Sequence, residues 1–150
     1  MESRELSAGL AGWLMGNLPG SYSWEVRGED AVEEMVRPVS VVVAQQGEPL
    51  HRLLKRYPVV LRGEYLPAAL DASGQLEQAG FPAGFTALCA VLEDPANFQS
   101  LRESLAVRGL LLRVLRRTGE DEFPHEETAR RMEVSFVFTV QTGVPAGSAG

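Results

Sequence analysis

The stretch of residues 131–142, RMEVSFVFTVQT, constrains the fold more than any other part of this chain. Large apolar side chains alternate in it with mostly polar ones, and β-branched and aromatic residues are frequent, which predicts a β-strand with one apolar face. The residues of that face are Met132, Val134, Phe136, Phe138 and Val140. Because one strand cannot bury an apolar face alone, we expect an α+β fold. In it a small, mostly antiparallel β-sheet is covered on one face by helices, with an N-terminal helix first.

The expected N-terminal helix spans residues 4–18. Its apolar side chains recur at helical spacing, and Pro19 should end it. These apolar residues are Leu6, Leu10, Trp13, Leu14 and Leu18. Gly9, Gly12 and Gly16 lower the helix propensity, so either another backbone approaches closely at them or the helix is loosely formed.

Two further helical segments should cover the sheet. The first spans residues 85–92, where apolar side chains have helical spacing. The second should carry the apolar residues between 98 and 105. Asp94 followed by Pro95 matches an N-cap and a first helical residue, and so marks its start.

The first half of the chain should also contain strands. Alternation predicts a short strand at 22–27, and the valine-rich residues 38–46 should form a central strand. We expect residues 57–66 to pair with 38–46 as a hairpin, with 50–56 as a turn or irregular arm. Residues 50–57 also fit a helix or the start of a longer strand, although Pro58 argues against an unbroken central strand.

Two segments are expected to be loops. Residues 28–37 are acidic and predict a loop or a single helical turn. Residues 66–84 contain three glycines and two prolines, which is typical of a long loop.

A second hairpin should end the fold. Residues 109–117, GLLLRVLRR, are interpreted as a strand that pairs with 131–142, and a helix that continues into this region is the alternative. The connection, 118–129, is acidic and has two arginines on each side.

Composition indicates a single globular domain, residues 1–142, followed by a flexible tail, 143–150. The chain is 45% hydrophobic and 23% charged, and no apolar run is long enough to span a bilayer, so no membrane association is expected. Glu2 and Glu5 interrupt the basic region that a signal peptide needs, which favours a protein made inside the cell. The single cysteine, Cys89, should lie in the core.

The net charge of −6 argues against a protein whose main work is to grip a nucleic-acid backbone. Lys55 is the only lysine, whereas arginines are numerous. Arginine suits bidentate ion pairs at protein interfaces.

The acidic connection and its flanking arginines are the only cluster whose residue types suit metal binding, catalysis or ion pairing. Its carboxylates and His125 lack a spacing that organises metal ligands, so we expect no metal site. A solvated hairpin tip is one interpretation, and ion pairing between neighbouring copies is another. The candidate subunit-interface residues are Arg116, Arg117, Glu120, Asp121, Glu122, Arg130 and Arg131.

No motif for catalysis is present in the sequence. His51 and His125 are not part of any pattern that resembles a nucleophile with its base, and no glycine-rich phosphate loop follows a strand. We therefore expect no catalytic residues, no cofactor and no enzymatic activity.

The order of the elements resembles that of the tail terminator, or tail completion, proteins of long-tailed bacteriophages. The segments that carry the resemblance are RPVSVVVAQ (37–45), YPVVLRGEYLPA (57–68), FTALCAVL (85–92) and RMEVSFVFTVQT (131–142). The resemblance implies a hexameric ring that sits on the last ring of the tail tube protein, stops tube growth and docks the tail to the head connector protein. It also implies that DNA passes through the ring without specific binding, and that the protein is assembled in the host cytoplasm and resides at the tail–neck junction of the virion.

Two other functions stay open at this point. One is another neck or tail-tube-like ring protein, and the other is a small-molecule-binding or enzymatic α+β domain. An enzyme should show convergent polar groups in a pocket, which the sequence does not indicate.

Overall fold

The computed structural model describes residues 2–18, 25–28, 39–65, 81–124 and 130–142. Within these ranges the chain forms three α-helices, one short 3₁₀-helix and six β-strands. In chain order they are α1 (Glu2–Met15), β1 (Glu25–Gly28), β2 (Val39–Ala44), β3 (Glu48–His51), β4 (Leu54–Tyr65), α2 (Phe81–Glu93), the 3₁₀-helix (Pro95–Asn97), α3 (Phe98–Ala106), β5 (Leu111–Pro124) and β6 (Arg130–Gln141).

All six strands belong to one sheet of order β1-β2-β4-β6-β5, in which β3 pairs with β4. β1 and β2 are parallel, and the other pairs are antiparallel. β4 and β6 stay in register from Leu54 opposite Gln141 to Tyr65 opposite Arg130. The structure therefore confirms an α+β fold with a mostly antiparallel sheet and an N-terminal helix first.

The helices lie against one face of the sheet, which we call the near face; the opposite face is the far face. The alternation in β6 decides which side chains point to each face, as predicted. Phe136, Phe138 and Val140 are buried in a hydrophobic core that also includes residues from all three α-helices. The larger helical members of this core are Leu6, Leu10, Trp13, Leu14, Phe81, Phe85, Leu88, Leu92, Leu101 and Leu105.

The first hairpin pairs β2 with residues 59–64, as expected. Residues 50–56, however, are not a turn or irregular arm, because β3 and the beginning of β4 form a small second hairpin. β4 also continues through Pro58, which we expected to interrupt a central strand. The carbonyl of Pro58 accepts a hydrogen bond of 2.9 Å from the amide of Gln45, so the side without an N–H faces the place where β2 ends. The pairing with β6 continues past the proline.

Gly109 ends the last helix. Its φ of 78° is a left-handed conformation that favours glycine. The amide of Gly109 bonds to the carbonyl of Ala106 at 3.0 Å, and the amide of Leu110 to that of Leu105 at 3.2 Å. This is the Schellman pattern, and it turns the chain from α3 into β5.

β5 pairs with β6 as predicted, but it is longer than predicted. It runs to Pro124, so residues 118–124 are strand and not part of the connection. The reason is that β6 supplies partners along its whole length, as far as Arg130 opposite Pro124. The pairing register shifts at two places in β5, between Leu112 and Val114 and after Arg117.

α2 begins earlier than predicted, because its first turn, from Phe81, uses the end of the expected loop 66–84. The Phe81 ring stacks on Tyr65 at a centroid distance of 5.4 Å and on Phe85 at 5.7 Å. Gly63 of β4 permits this close packing, since a Cβ at that position would lie 2.8 Å from ring atoms of both phenylalanines.

The glycines of α1 have different surroundings. A Cβ at Gly9 would lie 2.9 Å from side-chain atoms of Leu105 and Arg108, so the close neighbours there are side chains and not the backbone that we expected. Gly12 faces open space, and Gly16 meets only carbonyls at the end of its own helix.

Three local predictions are confirmed. Asp94 is an N-cap, with its Oδ1 accepting a hydrogen bond of 2.9 Å from the amide of Ala96, although the capped turn is the 3₁₀-helix that precedes α3. Cys89 is buried. Trp13 packs in the core, and its Nε1 donates to Oγ of Ser100 at 3.1 Å.

The remaining predictions lie mostly outside the described residues. These are strand residues 22–24, the loop 28–37 except Gly28, residues 66–80 of the second loop, and the tail 143–150. None of the described helices is long and apolar enough to cross a membrane.

Replacing Phe138 with alanine should lower the free energy of unfolding by about 3–5 kcal/mol, because it leaves a cavity at a fully buried position. The matched control is Val137→Ala, one residue away on the far face, where the side chain is only partly buried. Urea unfolding measures both. A loss below about 1 kcal/mol for Phe138→Ala would show that this position is not part of the core.

Gly63→Val should destabilise the protein by about 1–3 kcal/mol, because the new side chain displaces the rings of Phe81 and Phe85. Gly119→Val is the control, since a Cβ at this glycine of β5 has no atom within 4 Å. The midpoint of urea unfolding should fall for the first variant only. Equal midpoints for the two variants would contradict the proposed packing.

Candidate subunit interface

The β5–β6 hairpin carries all seven residues that the sequence singles out. Arg116 and Arg117 lie in the middle of β5, in register with Val137 and Phe136. The acidic residues Glu120, Asp121 and Glu122 follow on the same strand, and Arg130 and Arg131 begin β6. The structure thus places them on one hairpin, and their contact with another subunit stays a prediction.

Arg117 is engaged within its own chain. It lies on the near face, where its guanidinium forms an ion pair with Glu93 at the end of α2. The same group lies over the ring of Phe136, 5.9 Å from the ring centroid. Arg117 therefore joins the sheet to a helix, which is a structural role.

Arg116 has a different position. It pairs with Val137, a far-face residue, and it is exposed. Neighbouring residues of a strand point to opposite faces, so Arg116 projects from the far face, whereas Arg117 contacts Glu93 and Phe136 on the near face.

Arg131 belongs to a series of ion pairs that runs across β4 and β6 on the far face. We call this series the ion-pair chain. Nε of Arg62 lies 3.2 Å from Oε2 of Glu133, and Nη1 of Arg131 lies 3.8 Å from the same oxygen. Nη2 of Arg131 is 3.7 Å from Oε1 of Glu64. Glu64 is fully buried, and a buried carboxylate is costly unless a cation is close. Arg131 therefore also has partners in its own chain.

Arg131→Met should lower the free energy of unfolding by about 3 kcal/mol, since it removes a cation beside a buried carboxylate. The double variant Glu64→Gln/Arg131→Met should recover part of this loss, because a neutral amide costs less to bury than a carboxylate. A double-mutant cycle in urea at neutral pH measures the coupling. If the two changes simply add, the pair has no energetic role.

A second feature of the far face is a groove at the end of the sheet opposite Glu120, Asp121 and Glu122. We call this groove the basic groove. It is lined by His51, Arg52, Leu53, Leu54, Arg113, Val114, Thr139 and Gln141. Among the described residues that line it, none carries a carboxylate. Leu53 is 51% exposed and Val114 is 52% exposed, so two apolar side chains accompany the cationic ones.

One wall of the basic groove is the turn between β3 and β4. The carbonyl of Leu53 in this turn accepts two hydrogen bonds from Thr142, from its amide at 2.7 Å and from its Oγ1 at 3.1 Å. These bonds fix the turn beside the end of β6.

The other wall is the beginning of β5. Arg113 lies at the first register shift of this strand, between Leu112 and Val114. A β-bulge at such a place redirects a side chain, and here the bulged residue contributes to the lining of the groove.

The sequence did not identify the basic groove or the ion-pair chain. Arg52 lies in the segment 50–56, for which a turn or irregular arm was predicted, and Glu133 is one of the polar residues that alternate in 131–142. The alternation of β4 and β6 does place Arg62 and Glu133 on polar faces, which was a usable signal. Their pairing needs the register of the two strands, which the sequence does not state.

The described residues offer no metal centre, since no three side chains of His, Cys, Asp or Glu come together in the ranges that the structure covers. Comparison with known proteins adds no family. No protein-family model matches this chain, and no curated protein matches it.

Proposed function

We propose that this chain is a virion structural protein of the tail terminator kind. In this proposal it forms a hexameric ring that caps the tail tube of a long-tailed bacteriophage, stops its growth and docks the tail to the head connector. The α+β architecture and the order of its elements support the proposal, because they agree with the resemblance noted in the sequence.

The observation that carries the proposal is β5. It is an edge strand of the described sheet, at the opposite edge from β1, and has 14 residues, whereas strands of about five or six residues are usual. A long edge strand presents unpaired backbone groups that invite contact with another chain. The two register shifts hinder direct strand pairing, so contact through exposed side chains such as Arg116 is favoured.

The charge of the chain also suits the proposal. With a net charge of −6, the subunit repels the DNA backbone overall. A ring through which DNA must slide requires weak, non-specific contact with the phosphates.

Native mass spectrometry and negative-stain images of the purified protein test the proposal directly. We expect a closed ring of six subunits with a central hole. Long tubes would instead favour a tail-tube-like protein, because a terminator ring must not continue to polymerise. A monomer at all concentrations examined would contradict the ring.

Arg116→Glu should weaken assembly without affecting folding. In the proposed ring the new glutamate faces acidic side chains of a neighbouring subunit, and like charges placed across an interface cost several kcal/mol. The dissociation constant should therefore rise at least about tenfold. Arg108→Glu is the control with the same change in charge; it breaks only an exposed pair with Glu5, worth less than about 1 kcal/mol. Sedimentation measures assembly, and circular dichroism checks the fold. If Arg116→Glu assembles as the control does, Arg116 is not at the interface.

A further inference from the structure

The basic groove combines two kinds of recognition. Arg52 and Arg113 line it together with His51, and all three are exposed. The exposed side chains of Leu53 and Val114 provide apolar contact next to these charges. Such a surface fits a peptide that is acidic and also carries an apolar residue.

The chain itself contains a peptide of this chemistry. Residues 118–129, TGEDEFPHEETA, include five carboxylates, together with Phe123 and Pro124. Their composition matches the basic groove in both charge and apolar content.

Within one molecule, the described part of the acidic segment lies away from the basic groove. The groove lies where Val114 pairs with Thr139, whereas residues 120–124 of the segment pair with residues 130–134 of β6. Between five and nine residue steps of β6 separate these pairs, which is about 17–30 Å of extended strand. A contact between the two surfaces therefore needs a second copy of the chain.

We propose that the basic groove of one subunit receives the acidic segment, residues 118–129, of the next subunit. The contact joins two different surfaces, and such a head-to-tail interface either closes into a ring or continues as a filament. This inference rests on the proposed ring and names the contact that forms it. Arg116, exposed on β5 two residues beyond Val114, extends the cationic surface along the path of the incoming segment.

Nucleic acid is the other anionic partner that the groove chemistry allows. Few cations line the groove, and the chain has a net charge of −6, whereas proteins that grip phosphate backbones usually have a broad basic surface. The exposed Leu53 and Val114 also favour a peptide over a phosphate backbone.

A charge exchange between the two surfaces tests the inference. One variant, Arg52→Glu/Arg113→Glu, makes the groove acidic. The second, Glu122→Arg/Glu126→Arg/Glu127→Arg, leaves two carboxylates and adds three guanidinium groups, which makes the segment basic. Each variant alone faces like charges at every contact, so its assembly should weaken at least about tenfold.

An equimolar mixture of the two variants should assemble again. In an alternating ring, each acidic groove meets a basic segment, and each unchanged groove meets an unchanged segment. Restoration in the mixture shows that the contact lies between chains.

The matched control, Arg4→Glu/Arg108→Glu, makes the same change in charge as the groove variant, but on the helical side of the molecule, and should assemble as wild type does. Circular dichroism and unfolding midpoints confirm that each variant folds.

The outcomes separate this inference from the proposed ring. If wild type forms rings and the groove variant forms them equally well, the groove contact is wrong and the ring stands. If the mixture fails to assemble although both variants fold, the contact is also wrong.

If wild type is a monomer, the ring proposal fails, and titration with the synthetic peptide TGEDEFPHEETA decides on the groove alone. Binding that Arg52→Glu/Arg113→Glu abolishes supports the groove, whereas no binding to wild type overturns it. Tighter binding of a duplex DNA oligonucleotide that depends on Arg52 and Arg113 would also overturn it.

Discussion

The pairing of β4 with β6 over twelve residues is the constraint on which the rest of the structure depends. It is the centre of the sheet, and its register decides which side chains lie on each face. On the near face it sets Tyr57 opposite Phe138, and on the far face it sets Arg62 opposite Glu133. A slip by one residue would exchange the two faces, placing charged groups against the helices and aromatic rings on the far face. The two faces therefore reinforce the same register.

The two faces are stabilised by different physics. On the near face, burial of large apolar side chains drives the packing of helices on the sheet, and Gly63 allows aromatic rings to lie close to the strand. On the far face, Oε1 of the fully buried Glu64 lies 3.7 Å from Nη2 of Arg131. Hydrophobic packing tolerates many arrangements, whereas an ion pair requires particular partners, so the ion-pair chain favours one register of the two strands.

The distribution of charge links this architecture to the proposed function. Arg117 and Arg131 have partners in their own chain, whereas Arg116 is exposed on β5. The basic groove lies at one end of the far face, and Glu120, Asp121 and Glu122 lie toward the other end of β5. A subunit with two unlike, complementary surfaces is suited to head-to-tail assembly, and a subunit whose net charge repels DNA is suited to a channel.

The sequence by itself determined the elements whose signal is local. The alternation in 131–142, the capping residue Asp94 and the helical spacing before Pro95 each predict structure from neighbouring residues alone, and the structure agrees. Local signals were not sufficient for residues 50–56, which form the ends of two strands and the turn between them, or for the strand residues 118–124, because both depend on pairing with a partner strand. The prediction that Pro58 interrupts a central strand was wrong for the same reason, since the effect of a proline depends on which neighbour faces its missing N–H.

The ion-pair chain and the basic groove were decided only by the tertiary structure. Arg62 meets Glu133 across 71 positions of sequence, and the turn at Leu53 is held by Thr142 across 89, because strand pairing brings together residues that no local pattern connects.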